Sequence, residues 1–177
     1  RVCFAQLRRT CADLGDCGCG WDVGYRVDAL YGIDYVFTMA AGLELRQNFA
    51  ARWNQDNGNN ADYGLALPQF FVDVAYNDWK IKLGHFYTPI GYEVVPANGN
   101  FFYTHAYTMQ YGEPFTHTGV LGQYAYSDTT TLNIGLVNGW DAFDKVEDEA
   151  APIFGFAWDG GNGLTLAWNM ILSNNEP

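Results

Sequence analysis

Phe70-Phe71-Val72-Asp73-Val74-Ala75-Tyr76-Asn77-Asp78-Trp79-Lys80-Ile81-Lys82-Leu83 decides the fold. Up to Tyr76 the residues alternate: Phe70, Val72, Val74 and Tyr76 fall on one side, Phe71, Asp73 and Ala75 on the other. Side chains of an extended strand point alternately to its two faces, so a period of two marks a strand between unlike surroundings. Asn77 and Asp78 are turn residues, because both tolerate left-handed backbone. After them the alternation resumes, with Trp79, Ile81 and Leu83 against Lys80 and Lys82. The stretch reads as a tight antiparallel hairpin with one greasy and one wet face.

The same pattern recurs along the chain. In 22–31, Val23, Tyr25, Val27, Ala29 and Tyr31 oppose Asp22, Gly24, Arg26 and Asp28. Further strands are expected over 116–126, 131–138, 153–159 and 164–172. Ser127-Asp128-Thr129 and Asp159-Gly160-Gly161-Asn162-Gly163 read as tight turns. Between them lie long connections at about 32–67, 87–114 and 139–152. Short turns alternating with long loops suit an up-and-down barrel with short turns at one rim and long loops at the other. Greek-key sandwiches need no such regularity.

Composition agrees. Charged residues are 16% of the chain, below the roughly 25% usual for soluble domains. Aromatics reach 17%, with 20 glycines, a mixture that favours strands and turns. No apolar run is long enough for a membrane helix, which needs about 18 residues. A closed barrel is the other backbone whose hydrogen bonds are satisfied in lipid. The net charge of −11 argues against nucleic acid as a partner, because phosphates need a basic surface. Solvated acidic loops and a cation-favouring pore both account for it. The fold expected is all-β: an antiparallel up-and-down transmembrane β-barrel, incomplete in this chain. Seven strands are evident and Gly42-Leu43-Glu44-Leu45-Arg46 is a candidate for another. The stretch Leu172–Pro177 lacks a terminal aromatic residue. These features lead us to expect the N-terminal part of a longer protein, or a sheet completed by several chains.

Cys3, Cys11, Cys17 and Cys19 crowd the first 20 residues. Their spacing fits disulfides in an oxidising compartment better than zinc, with three pairings open. Residues 1–20 are read as a stapled N-terminal extension with a short helix allowed, and 21–177 as the partial barrel.

Several segments carry a family resemblance. They are Trp21 to Gly42, Leu83-Gly84-His85-Phe86-Tyr87-Thr88-Pro89-Ile90-Gly91-Tyr92-Glu93-Val94-Val95, Asn100-Phe101-Phe102-Tyr103, and Gly112-Glu113-Pro114-Phe115-Thr116-His117-Thr118-Gly119. Together they resemble the OmpL-like outer-membrane β-barrel porins. The resemblance implies a barrel of a dozen or more strands, an outer-membrane location and passive transport. It carries over no substrate-binding residues, and residues 1–20 match no pattern of that family.

Candidate residues follow from the faces. Arg26, Asp28, Asp73, Lys80, Lys82 and Asn133 lie on the wet side and are candidate pore-lining residues; the lysines beside Asp73 set up a field across a lumen. The connection 87–114 is unusually aromatic. Tyr92, Glu93, Phe101, Phe102, Tyr103, Tyr107 and Glu113 are candidates for a constriction loop, and packing against the barrel wall or a partner subunit is the structural alternative. His85, His105 and His117 are too widely spaced for a recognisable metal motif and are read as polar residues at the mouth and wall of a pore. The acidic run at Asp141, Asp144 and 147–149 is read as a solvated loop, and so is 54–60. No catalytic constellation, metal site or cofactor motif is present. The expected function is passive diffusion of small hydrophilic solutes across an outer membrane, without enzymatic activity. The lipid bilayer and those solutes are the expected partners, with a homo-oligomer or envelope proteins as further ones. A structural barrel subunit of an envelope assembly and a soluble, aromatic-rich, carbohydrate-binding β-sandwich are the alternatives.

Overall fold

The computed structural model describes residues 21–32, 35, 38–44, 63–95, 97–144 and 150–173, and the backbone strand at 3–9. Eight strands form one sheet in strict sequence order: β1 (Cys3–Arg9), β2 (Trp21–Gly32), β3 (Gly64–Tyr76), β4 (Trp79–Tyr87), β5 (Thr116–Ser127), β6 (Thr130–Val137), β7 (Ala151–Asp159) and β8 (Thr165–Ile171). Every neighbouring pair is antiparallel. The sheet is an up-and-down array that does not close on itself: among the described residues no pairing joins β8 to β1. Among the described residues helix is short: a five-residue turn, α1 (Tyr107–Tyr111), a three-residue 3₁₀ turn at Ala97–Gly99, and 3₁₀ backbone at Tyr35.

Two expectations change. Residues 3–9 are a strand and not a short helix. The free edge of β2 offers a row of unpaired N–H and C=O groups, and pairing Cys3 with Tyr31 through Arg9 with Tyr25 satisfies them. The eighth strand is therefore β1, whereas Gly42–Glu44 form a turn; Leu45 and Arg46 lie outside the described residues. The remaining cysteines, the 54–60 stretch and Leu172–Pro177 beyond Ser173 also lie outside them.

Reading the register across strands shows why alternation matters. Directly paired residues share a face. Trp21, Tyr76, Trp79, Tyr124, Leu132, Phe156 and Trp168 form one row from β2 to β8. The next row is Val23, Val74, Ile81, Gly122, Ile134, Phe154 and Met170. A third runs Tyr25, Val72, Leu83, Val120, Leu136 and Pro152. Large members of these rows are exposed, Trp21 at 71% and Ile134 at 63%. No second sheet covers them among the described residues. The aromatic row sits at the short-turn rim, where Trp21 stacks on Tyr76 at 4.6 Å and Trp79 meets Tyr124 at a tilt, 4.9 Å between centroids. Indole and phenol rings prefer a boundary that is apolar on one side and wet on the other.

Candidate functional site

The opposite, inward face carries the chemistry. Arg26, Asp28, Asp73, Lys80, Lys82 and Asn133 all project from it, as their shared register with Phe71, Leu121 and Gln123 requires. They form three groups. Arg26 pairs with Asp28 at 2.7 Å, and Gln69 donates to the same carboxylate at 2.7 Å. Lys80 lies 3.4 Å from Asp73, while Lys82 sits 4.2 Å above the Phe71 ring. Gln123 donates to Asn133 at 3.2 Å and Asn133 to Asn169 at 3.2 Å, giving an amide ladder over β5 to β8. Charge thus concentrates on β2 to β4, and uncharged amides line β5 to β8.

Toward the long-loop rim the inward face turns apolar. Phe71, Phe86, Leu121, Val137, Ala151 and Ile153 form the main buried cluster, with Ile90 and Ile171 packed on it. Ile90 comes from the β4–β5 connection, so the first limb of that loop packs onto the inward face. Hydrogen bonds fasten it, one of them from the Thr88 N–H to the Phe115 carbonyl at 3.0 Å. Asn169 of β8 donates to the Pro89 carbonyl at 2.7 Å across 80 residues of sequence. Thr88 Oγ1 meets His117 Nε2 at 2.9 Å, and the other ring nitrogen of His117 reaches the Gly139 carbonyl at 2.7 Å.

The candidate constriction residues divide. Tyr92, Phe101, Phe102, Tyr103 and Tyr107 are exposed, between 65% and 92%, in the outer part of the loop beyond the inward limb. Glu93 and Glu113 organise that outer part. Glu93 accepts from the Ala106 N–H at 2.9 Å and faces His105 at 3.3 Å. Partial burial and the Glu93 charge raise the Glu113 carboxyl above its usual range. Both glutamates line a crevice of about 60 Å³ inside the loop. The limb that packs on the inward face, Thr88 to Ile90, has no local signal in the sequence. A contact spanning 80 residues leaves no local pattern.

The histidines do not converge. His117 points inward, His85 lies on the outward face beside Thr118, and His105 belongs to the loop. Asp141 is not a solvated loop residue as expected. Its carboxylate is largely buried and accepts from the N–H groups of Phe115 and Thr116 at 2.7 and 2.8 Å, tying the β6–β7 loop to the start of β5. Burial raises its pKa more than those bonds lower it.

Glu44 was also missed, because it sits in a segment read as a hidden strand. It is fully buried and accepts from the Ala40 N–H at 2.7 Å and from the Leu67 N–H. It thereby clamps the β2–β3 connection onto the bulged part of β3. Burial pushes its pKa up to about 7 against the pull of those two donors. A folded pKa above the unfolded 4.5 means the folded state holds a proton that the unfolded chain has released. This stabilisation is full below 4.5 and is lost as pH rises through about 7. Glu44→Gln should therefore flatten the pH dependence of unfolding in detergent between about pH 5 and about pH 8, on the order of 1–3 kcal/mol. Equal slopes for variant and wild type would contradict the assignment.

Comparison with known proteins decides the family. The profile of the putative beta-barrel porin-2, OmpL-like family matches residues 7–177.

The chain belongs to this porin family.

The match begins inside β1, so the porin pattern reaches into the first 20 residues, where none was expected. No curated protein and no solved structure matches the chain. A β-barrel porin meets lipid with its outer face and solutes with its inner face. The three apolar rows have the composition such a lipid-facing surface needs, and the aromatic row that of a belt at the short-turn interface. A charge placed in the middle row tests that orientation. Ile134→Lys should cost about 2–4 kcal/mol of stability in a bilayer, measured by urea titration in vesicles. A loss below about 0.5 kcal/mol, usual for exposed soluble positions, would place that face in water.

Proposed function

We propose that this porin forms an outer-membrane channel for passive diffusion of small hydrophilic solutes and performs no covalent chemistry. The observation that carries the reading is the split between the faces: unbroken apolar rows on one side, ion pairs and an amide ladder on the other. Selection then rests on fixed geometry and wall charge. The β2–β4 wall, with Arg26, Asp28, Asp73, Lys80 and Lys82, interacts with ions and dipoles. The β5–β8 wall offers amide donors and acceptors to uncharged polar groups.

The narrowest point is assigned to the inward limb Thr88–Ile90, and the exposed aromatics Phe101, Phe102, Tyr103 and Tyr107 to the vestibule above it. Releasing the limb should widen the channel. Asn169→Leu combined with Ile90→Ala removes the Pro89 bond and most of the apolar anchor, and is expected to raise single-channel conductance about twofold and admit larger sugars in liposome swelling. Unchanged conductance and size cut-off in the double variant would show that the limb does not narrow the path.

A further inference from the structure

The outward face holds a pocket that diffusion through a lumen does not use. Its volume is about 500 Å³, within the roughly 300–1,000 Å³ of ligand sites. Tyr25, Val72 and Leu83 of the third apolar row form its floor, with Phe70 and His85 of the row beyond. Phe143, from the β6–β7 loop, stacks on the His85 ring at 4.4 Å and forms its lid. A Phe143 N–H to Ala41 carbonyl bond of 2.8 Å holds the lid segment to the β2–β3 loop.

His85 is the anomaly of this pocket. It is 1% exposed and sits beside Thr118 on a largely apolar face. The Thr118 hydroxyl donates to the Ala142 carbonyl at 2.8 Å, so it cannot also donate to His85. The 2.8 Å contact between Thr118 Oγ1 and His85 Nδ1 therefore uses a proton on Nδ1. In the neutral ring that leaves Nε2 as a bare acceptor. Nε2 is buried and has no hydrogen-bond partner among the described residues. Buried acceptors are nearly always satisfied, so an unmatched one beside a cavity indicates a missing donor.

We propose that this pocket binds one membrane lipid, an acyl chain lying on Tyr25, Val72 and Leu83 with a hydroxyl group donating to His85 Nε2. The position favours a lipid over other apolar ligands. The pocket lies where the apolar rows of the outward face meet the β2–β3 and β6–β7 loops. An unsubstituted acyl chain has no donor for His85; a hydroxylated chain has one. The proposal rests on the outward face meeting lipid and is independent of whether the lumen conducts.

The test uses the full chain in detergent, with β-hydroxymyristate and myristate as probes and native mass spectrometry as the readout. Wild type should retain about one β-hydroxymyristate per chain and bind it about fivefold more tightly than myristate, the effect of one hydrogen bond. His85→Phe keeps the ring volume and should bind both probes equally. Val72→Trp fills the floor from an exposed position and should exclude both. Equal retention of the two probes by wild type, or an unchanged preference in His85→Phe, overturns the proposal. So does folded, detergent-requiring wild type that retains neither probe, an outcome that leaves the channel reading standing.

Discussion

Gly84→Val is expected to prevent assembly of the sheet, with a destabilisation on the order of 4 kcal/mol. Gly84 sits in the middle of the β4 register at φ +133, a conformation that L side chains rarely adopt. A Cβ there would meet the Phe70 carbonyl oxygen and come within 2.8 Å of the Phe71 Cα. Both are backbone atoms of the neighbouring strand, so no rotamer change relieves the clash. The paired strand would have to move away, and with it Phe71, a member of the main inward cluster. Gly161 provides the control. It also has positive φ, +68, but its Cβ position has nothing within 4 Å. Gly161→Val should cost only the conformational strain, about 1–2 kcal/mol. Folded yield and urea midpoint in detergent measure both. Similar losses for the two variants would mean that the β3–β4 approach at Gly84 is not tight.

The second large effect concerns selectivity. Lys80→Glu together with Lys82→Glu should swing the channel toward cations, changing the cation-to-anion permeability ratio about tenfold. Lys80 pairs with Asp73 at 3.4 Å, and Lys82 lies over Phe71 in the adjacent row of the same wall. With both lysines reversed, Asp73 would stand among like charges on β4, and the field of the β2–β4 wall would change sign. The adjoining amides, Gln123 next to Lys80, then Asn133 and Asn169, have no charge to compensate. The reversal potential in a salt gradient reads the change directly. An unaltered reversal potential in a conducting variant would remove these lysines from the ion path.

Hairpins were the legible part of the sequence. The Phe70–Leu83 stretch, with its alternation and its Asn77-Asp78 turn, specified β3, β4 and their register, because each residue's face follows from its immediate neighbours. The positions of Arg26, Asp28, Asp73, Lys80, Lys82 and Asn133 on one face follow the same local rule. The missed features depend on distant partners. β1 forms because the edge of β2 is open, and Cys3–Arg9 has no strong strand pattern of its own. Pro89 is placed by Asn169 and Glu44 by Ala40 and Leu67. His85 was read as a polar residue at the mouth or wall of a pore, since a histidine in an alternating strand suggests a wet face. Its position two residues after Leu83 puts it on the outward face instead, where Thr118 of β5 and Phe143 of the β6–β7 loop cover it.

In the proposed reading, wall, limb and lipid face belong to a sheet that separates a wet path from a bilayer. The measurement that tests this most directly is the conductance of the purified, intact protein in a planar bilayer. Discrete, long-lived current steps that grow in proportion to salt concentration are the predicted result. Silence from folded, detergent-requiring protein would contradict it, and would leave a barrel whose inward face is sealed by the Thr88–Ile90 limb.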